Sequence, residues 1–356
     1  MQDVRFGARL AVRIRSLVLL AIVLDLPVLA RVAKALTPEP LVESLEIDGV
    51  PVEISLPARG EAWPAFVFVT GAHPLRRREP VVQRLARALA RAGYLAVVPD
   101  LPGLGDGELT QRTTEAAVAV TGATAARPDV RDGRVALVGA SAGASIALLT
   151  AARPELESRV SLVAAITPFA DLEKIVCLAT TRRYEETSGF VEYGVTPLLR
   201  RAVARSLVAS LPECDDRERL LAVLGGIEDD SDPLDELQVQ LDGPEAHALV
   251  RLLTNSDPAR FSELYRMLSP DLLAVVRRLS PVASVGTLSA PVELAVPPRD
   301  PYFPFAEAQL LADSLANVRL TVTTTLDHTR PKASLKGLRD LARFDRFVLR
   351  SLATAA

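Results

Sequence analysis

One pentapeptide constrains this chain more than any other feature: Gly139-Ala140-Ser141-Ala142-Gly143. It follows Arg134-Val135-Ala136-Leu137-Val138, an apolar β-branched run that reads as a strand buried on both faces. It precedes Ala144 to Ala152, small and aliphatic residues suited to a helix packed closely on a sheet. Strand, Gly-x-Ser-x-Gly and helix in that order make a nucleophile elbow. The turn is so sharp that residues two either side of the serine can hardly carry a Cβ, hence the paired glycines. The serine then presents its Oγ at the carboxyl end of a strand, above a helix N-terminus. A glycine-rich packing turn in any α/β protein would show the same five residues, so the rest of the chain has to decide.

At 356 residues the chain exceeds an average domain and suits one large α/β domain with an insertion. Its net charge of −3, with basic and acidic residues interspersed, gives no nucleic-acid footprint. Cys177 and Cys214 are too few and too far apart for a zinc site or a disulfide framework, and no metal or organic cofactor is implied.

The first 40 residues differ from the rest of the chain. Arg5, Arg9, Arg13 and Arg15 lead into an apolar run from Ser16 to Leu24, then Asp25-Leu26-Pro27-Val28-Leu29-Ala30. As a helix of about 15 residues the run reaches roughly 22 Å, against a hydrocarbon core of about 30 Å. Three readings compete. The favoured one is a membrane anchor with its arginines in the cytoplasm, which makes membrane lipid a partner of residues 16–30. The others are a cleaved signal peptide ending near Ala33-Lys34-Ala35, and a soluble or interfacial helix covering an apolar groove. Because the globular pattern begins only near Leu41, the segment before it reads as separable.

From Leu41 the signals alternate. Asp48-Gly49 between two alternating runs is a hairpin. Buried strands are expected over Pro64 to Val69, Tyr94 to Asp100, Arg134 to Val138 and Ser161 to Ile166, with helices over Val81 to Arg91 and Thr113 to Ala126. This alternation argues a mainly parallel sheet with helices on both faces and right-handed crossovers. It breaks after Leu172. No buried strand is evident until Val285, whereas Leu199, Val203, Leu207 and Leu211 recur at helical spacing and a second amphipathic run covers Leu264 to Leu279. The acidic loop from Glu228 to Pro233 reads as solvated. The pattern implies a core of residues 41–171 and 286–356, interrupted by a helical cap over 172–285. The core resumes with a strand over Pro291 to Val296, a helix over Ala306 to Leu315, a strand over Val318 to Thr324 and a helix from about Ser334 to Leu352.

A serine hydroxyl needs an adjacent base, and the chain has three histidines. His73 follows the Pro64 to Val69 strand, His247 falls in the cap, and His328 follows the last strand. An elbow nucleophile is followed in sequence by its acid and then its histidine, both on loops at the carboxyl ends of strands. His328 alone fits. For the acid, Asp300 follows the Pro291 to Val296 strand and is preferred. Asp171 is the alternative, its structural role being an N-cap for the segment entering the cap. Asp327 adjoins the histidine, but consecutive side chains diverge. Oxyanion donors are expected at the backbone N–H of Ala142, at the helix N-terminus, and of Ala72, where Gly71 lets the chain turn.

The chain resembles the α/β-hydrolase superfamily. The matching pieces are Val69-Thr70-Gly71-Ala72, Gly93-Tyr94 with Val98-Pro99-Asp100-Leu101-Pro102-Gly103, the elbow, Ser280-Pro281 with Ala290-Pro291-Val292, and Asp300 with His328. Within the superfamily it looks closest to serine esterases and dienelactone-hydrolase-like proteins, although dienelactone hydrolases proper use a cysteine where this chain has Ser141. Thr70-Gly71 stands where family members often have His-Gly. The resemblance implies an α/β-hydrolase fold and hydrolysis of a small acyl substrate, an ester before a thioester or amide. The cap's aliphatic faces hint at an apolar acyl or alcohol group. An acyltransferase with the same triad and a non-catalytic binding module are the alternatives.

Overall fold

The structure, a computed structural model, describes residues 2–186, 189–228, 231–234, 237, 239–332 and 337–356. Two helices come first, α1 (Gln2–Val23) and α2 (Pro27–Leu36). The expected hairpin comes next as β1 (Leu41–Ile47) and β2 (Val50–Leu56), antiparallel, with Asp48 and Gly49 at φ of 49° and 78°. A strand–helix alternation then builds the sheet: β3 (Trp63–Val69), α3 (Pro80–Arg91), β4 (Leu95–Pro99), α4 (Gln111–Ala125), β5 (Val130–Ala140), α5 (Ala142–Ala151) and β6 (Val160–Ile166). Pro80 starts α3 at a position where its missing N–H costs nothing, and Gly93 at φ 86° lets the chain leave.

After β6 the chain leaves the sheet. It forms α6 (Leu172–Thr181), a small hairpin of β7 (Arg183–Glu186) and β8 (Gly189–Glu192), then α7 (Pro197–Ala209), α8 (Asp215–Leu224), α9 (Pro244–Leu253), α10 (Pro258–Arg266) and α11 (Pro270–Arg278). The sequence pattern carries no sign of the hairpin, because its strands are short and mostly exposed. The single amphipathic run expected over Leu264 to Leu279 is two helices: Ser269 caps the second through the N–H of Leu272, and Pro270 cannot continue the first. Of the acidic loop, residues 229 and 230 lie outside the described residues. Within it Asp232 is not merely solvated, since it pairs with Arg182 and Arg200.

The sheet resumes with β9 (Val292–Val296), α12 (Phe305–Ser314) and β10 (Val318–Val322). The short ladder β11 (Leu326–Asp327) and β12 (Arg330–Pro331) precedes α13 (Leu338–Ala355). The sequence places the start of that last helix near Ser334, outside the described residues. The eight-stranded order is β1-β2-β4-β3-β5-β6-β9-β10, parallel except at the β1–β2 and β2–β4 pairings. Alternate residues of each strand feed two apolar layers. On one face Val67, Leu137 and Val163 pack with α4, α5 and the helices of the insertion. On the other, Phe66, Phe68, Ala136 and Leu162 pack toward α1, α3 and α13.

That second layer corrects the reading of the N-terminal segment as a transmembrane anchor. No helix among the described residues is long and apolar enough to cross a membrane. The apolar run stops at Asp25, whose φ of 51° ends α1 before Pro27 opens α2. Leu19, Leu20, Ala21 and Ile22 are buried in one cluster with Val82, Leu89, Phe344 and Phe347. Two of the arginines expected to mark a cytoplasmic flank have partners within the protein. Arg13 pairs with Asp345 at 2.7 Å, and Arg15 lies over the Tyr94 ring at 5.1 Å. Ser16 adds a 3.0 Å hydrogen bond to Asp345. α1 thus supplies side chains to the core that begins, in sequence, only after Leu41.

Candidate active site

Ser141 ends β5 and starts α5 with φ 56° and ψ −130°, a strained conformation for a residue with a Cβ. Its N–H donates to the carbonyl of Ile166 on the neighbouring strand, 2.9 Å, which fixes the turn against the sheet. The flanking glycines are required by contact. A Cβ on Gly139 would lie 2.4 Å from the carbonyl oxygen of Gly143, and one on Gly143 would lie 2.2 Å from that of Thr70. The first turn of α5 therefore rests directly on the end of β3, which brings the loop containing Ala72 beside the serine.

Ala142 is the first residue of α5, so its N–H has no acceptor within the helix. Ala72 and Ala142 both line the cavity onto which Ser141 opens. His73 lines it too; its Nδ1 accepts the N–H of Leu75, 3.2 Å, so the ring also closes its own turn. His247 is remote in role: it sits on α9, exposed, with its Nδ1 against the carbonyl of Gly243.

His328 occupies the tight turn between β11 and β12 at φ 52° and lines the same cavity as Ser141. Its Nδ1 is 2.7 Å from Oδ2 of Asp300. Asp300 is itself held: Oδ1 accepts the N–H groups of Tyr302, 2.8 Å, and Phe303, 3.0 Å. The carboxylate is buried, so these three hydrogen bonds set both its rotamer and the tilt of the imidazole. With Nδ1 engaged, Nε2 is the ring nitrogen left for chemistry.

Asp171 is engaged elsewhere. It caps α6 through the N–H of Glu173, 3.0 Å, the N-cap role open to it from sequence. Its backbone N–H donates 2.9 Å to Glu307, a carboxyl on α12 with no exposed surface. Glu307 also accepts from the N–H of Ala170, 2.6 Å, and from the Tyr184 hydroxyl, 2.5 Å. Burial pushes the Glu307 carboxyl above its ordinary range despite these donors. Asp327 diverges from its neighbour as expected, ion-pairing with Lys332.

Several residues escaped the sequence reading. The Tyr302 ring lies 4.4 Å, centroid to centroid, from His328, and Phe303 stands at 6.1 Å. Their adjacency to Asp300 was the available signal. Tyr193, which donates its hydroxyl to the carbonyl of Asp300, gave no signal at all, since it follows the insertion hairpin more than a hundred positions away. Burial, with the Asp300 charge second, pushes the Tyr193 phenol up to about 12. Leu198, Leu199 and Ala202 on α7 roof the cavity. Cys177 and Cys214 are both free; burial raises the Cys177 thiol to about 11, away from reactivity.

The sheet order, the elbow and the inserted helices make this an α/β-hydrolase fold. Residues 48–193, less than half of the chain, match the model of the X-Pro dipeptidyl-peptidase (S15) family. Among solved structures, a 2,6-dihydroxy-pseudo-oxynicotine hydrolase is similar at a TM-score of 0.52 and 15% identity, over 91% of this chain and 71% of that one. Porphyromonas gingivalis dipeptidyl peptidase 4 is similar at 0.51 and 11%, over 92% of this chain but 37% of that one. The Pyrococcus horikoshii acylaminoacyl peptidase gives 0.50 and 13%, over 90% and 41%. At these identities the likeness is one of fold. Among curated proteins nothing matches.

Proposed function

We propose that this protein is a serine hydrolase that cleaves a carboxylic ester through an acyl-enzyme on Ser141. The observation that carries the reading is the convergence on one cavity of a strained elbow serine and a histidine whose Nδ1 is locked 2.7 Å from a buried aspartate. In this scheme Oγ of Ser141 attacks the acyl carbon while its proton passes to Nε2 of His328. Asp300 holds the tautomer and stabilises the imidazolium. The N–H groups of Ala142 and Ala72 receive the oxyanion. His328 then protonates the departing alcohol, and water repeats the sequence in reverse to release the acid. No step calls for a cofactor.

The match of residues 48–193 to a peptidase family favours a second reading, amide cleavage by the same residues. Labelling with a fluorophosphonate, followed by turnover of p-nitrophenyl esters and of X-Pro p-nitroanilides, tests both. Ser141→Ala should abolish labelling and reduce turnover on the order of 10⁴-fold. Activity surviving within tenfold makes the elbow structural; faster anilide than ester turnover makes the protein a peptidase.

A further inference from the structure

The cavity does not end at Ser141. Its volume is about 510 Å³, and it continues below the site between the sheet and the layer of α1, α3 and α13. The sheet contributes Phe66, Phe68, Val138 and Ala164 to its wall, side chains of the face that packs toward those three helices. On α13 the lining runs from Phe344 to Leu352, eight steps along the helix and so about 12 Å at 1.5 Å per residue. On α3 it runs a similar distance from Val81 to Leu89. The third wall is α1, through Leu19, Leu20 and Val23.

Polarity divides along this length. The charged residues in the lining, Glu79, Asp327 and Arg330, belong to the loops and the helix start at the mouth, together with His73 and His328. Below them the lining is aliphatic and aromatic except for Thr70, beside the elbow just past β3, and Ser351, whose hydroxyl is bonded to its own helix at the carbonyl of Phe347, 2.9 Å. A mostly apolar space whose deep Ser351 hydroxyl is already bonded suits a hydrocarbon and disfavours water or a peptide, whose amides would lie buried without partners.

Resting on the hydrolase reading, we infer that this space is an acyl-chain tunnel and that the substrate is an ester of a long unbranched fatty acid, of roughly octanoyl to lauroyl length or more. The acyl carbon sits at Ser141 and the chain descends between the sheet and the helices. The N-terminal helix is then part of the substrate site: Leu20 and Val23 face the chain, and α1 has this second use beside covering the core. The alcohol leaves through the mouth, on the side of Tyr302 and α7.

The test is a chain-length series of p-nitrophenyl esters from acetate to palmitate. Values of kcat/KM should climb by up to about fourfold per added methylene until the tunnel is filled, for a rise of 10²-fold or more from acetate to laurate. Leu20→Trp and, as a milder filling, Val23→Phe should each lower the laurate-to-acetate ratio tenfold or more, in protein whose cooperative melt shows it folded. Laurate should raise the melting temperature of the Ser141→Ala protein, and Leu20→Trp should remove that effect. An active enzyme whose kcat/KM is flat or falls with chain length overturns the tunnel and leaves the hydrolase standing. A ratio unchanged by both filling variants overturns it too. If no ester is turned over and Ser141 is not labelled, the hydrolase reading falls, and laurate binding by Ser141→Ala still decides whether the cavity takes an acyl chain.

Discussion

Ile22→Ala and Leu17→Ala, made singly, distinguish a helix that belongs to the core from one whose apolar residues serve something outside the protein. Ile22 is 3% exposed and lies in the cluster that includes Val82, Leu89, Phe344 and Phe347. Leu17, on the same helix, is 56% exposed. Truncating a buried isoleucine costs about 2–5 kcal/mol, through lost transfer energy and the cavity left behind. Ile22 does not line the tunnel and is packed on protein, so a value of about 3 kcal/mol is expected. Truncating Leu17 should change stability by no more than about 0.5 kcal/mol. At about 2.1 cal/mol/K of unfolding entropy per residue, a loss of about 3 kcal/mol in a chain of 356 residues lowers the melting temperature by about 4 °C. Urea denaturation gives the same comparison, with the midpoint falling at unchanged slope. Equal effects of the two substitutions, or a larger effect at Leu17, would refute the packing of α1 against α3 and α13.

Asp300→Asn should cost about 10⁴-fold in kcat/KM. Its side-chain oxygen can keep the N–H groups of Tyr302 and Phe303, which turns the new NH₂ toward Nδ1 and leaves the proton on Nε2. Asp171→Asn, at a helix cap, should cost about 1 kcal/mol of stability or less and little activity; a reversed ranking in folded proteins moves the acid to the loop after β6. Glu307→Gln tests the buried carboxyl. Its folded pKa is raised, so wild-type stability is fullest below the unfolded value of about 4.3 and declines as pH climbs from there through the folded pKa. The stability of Glu307→Gln relative to wild type should therefore increase with pH across that window, and a pH-independent difference between their melts contradicts the shift. Deleting residues 1–36 should yield protein that aggregates or melts without cooperativity, because Leu89, Phe344 and Phe347 lose their cover; a monomer melting like the full chain refutes that.

The sequence alone determined the order of sheet and helix, the Gly-x-Ser-x-Gly turn and which histidine was the candidate base. These are local matters: β-branched runs bury as strands, paired glycines mark a turn no Cβ can enter, and only one of three histidines follows the last strand of the main sheet. Chain order admitted both Asp300 and Asp171, each on a loop after a core strand, and it is the structure that sets Asp300 against His328 and Asp171 at the cap of α6. What no local pattern carried was which face of the sheet each helix would cover. Leu19 to Ile22 have the composition of a membrane segment, and composition does not distinguish lipid from the underside of a sheet. Only the fold, by bringing α1 between α3 and α13, turned that run inward, put Asp345 within reach of Arg13, and left beneath Ser141 a space that no stretch of sequence encloses by itself. Tyr193 and Glu307 belong to the same class. Their partners, Asp300 and the loop after β6, lie more than a hundred residues away; the Tyr193 contact exists because the insertion folds back over the site, and the Glu307 contacts because β9 pairs beside β6.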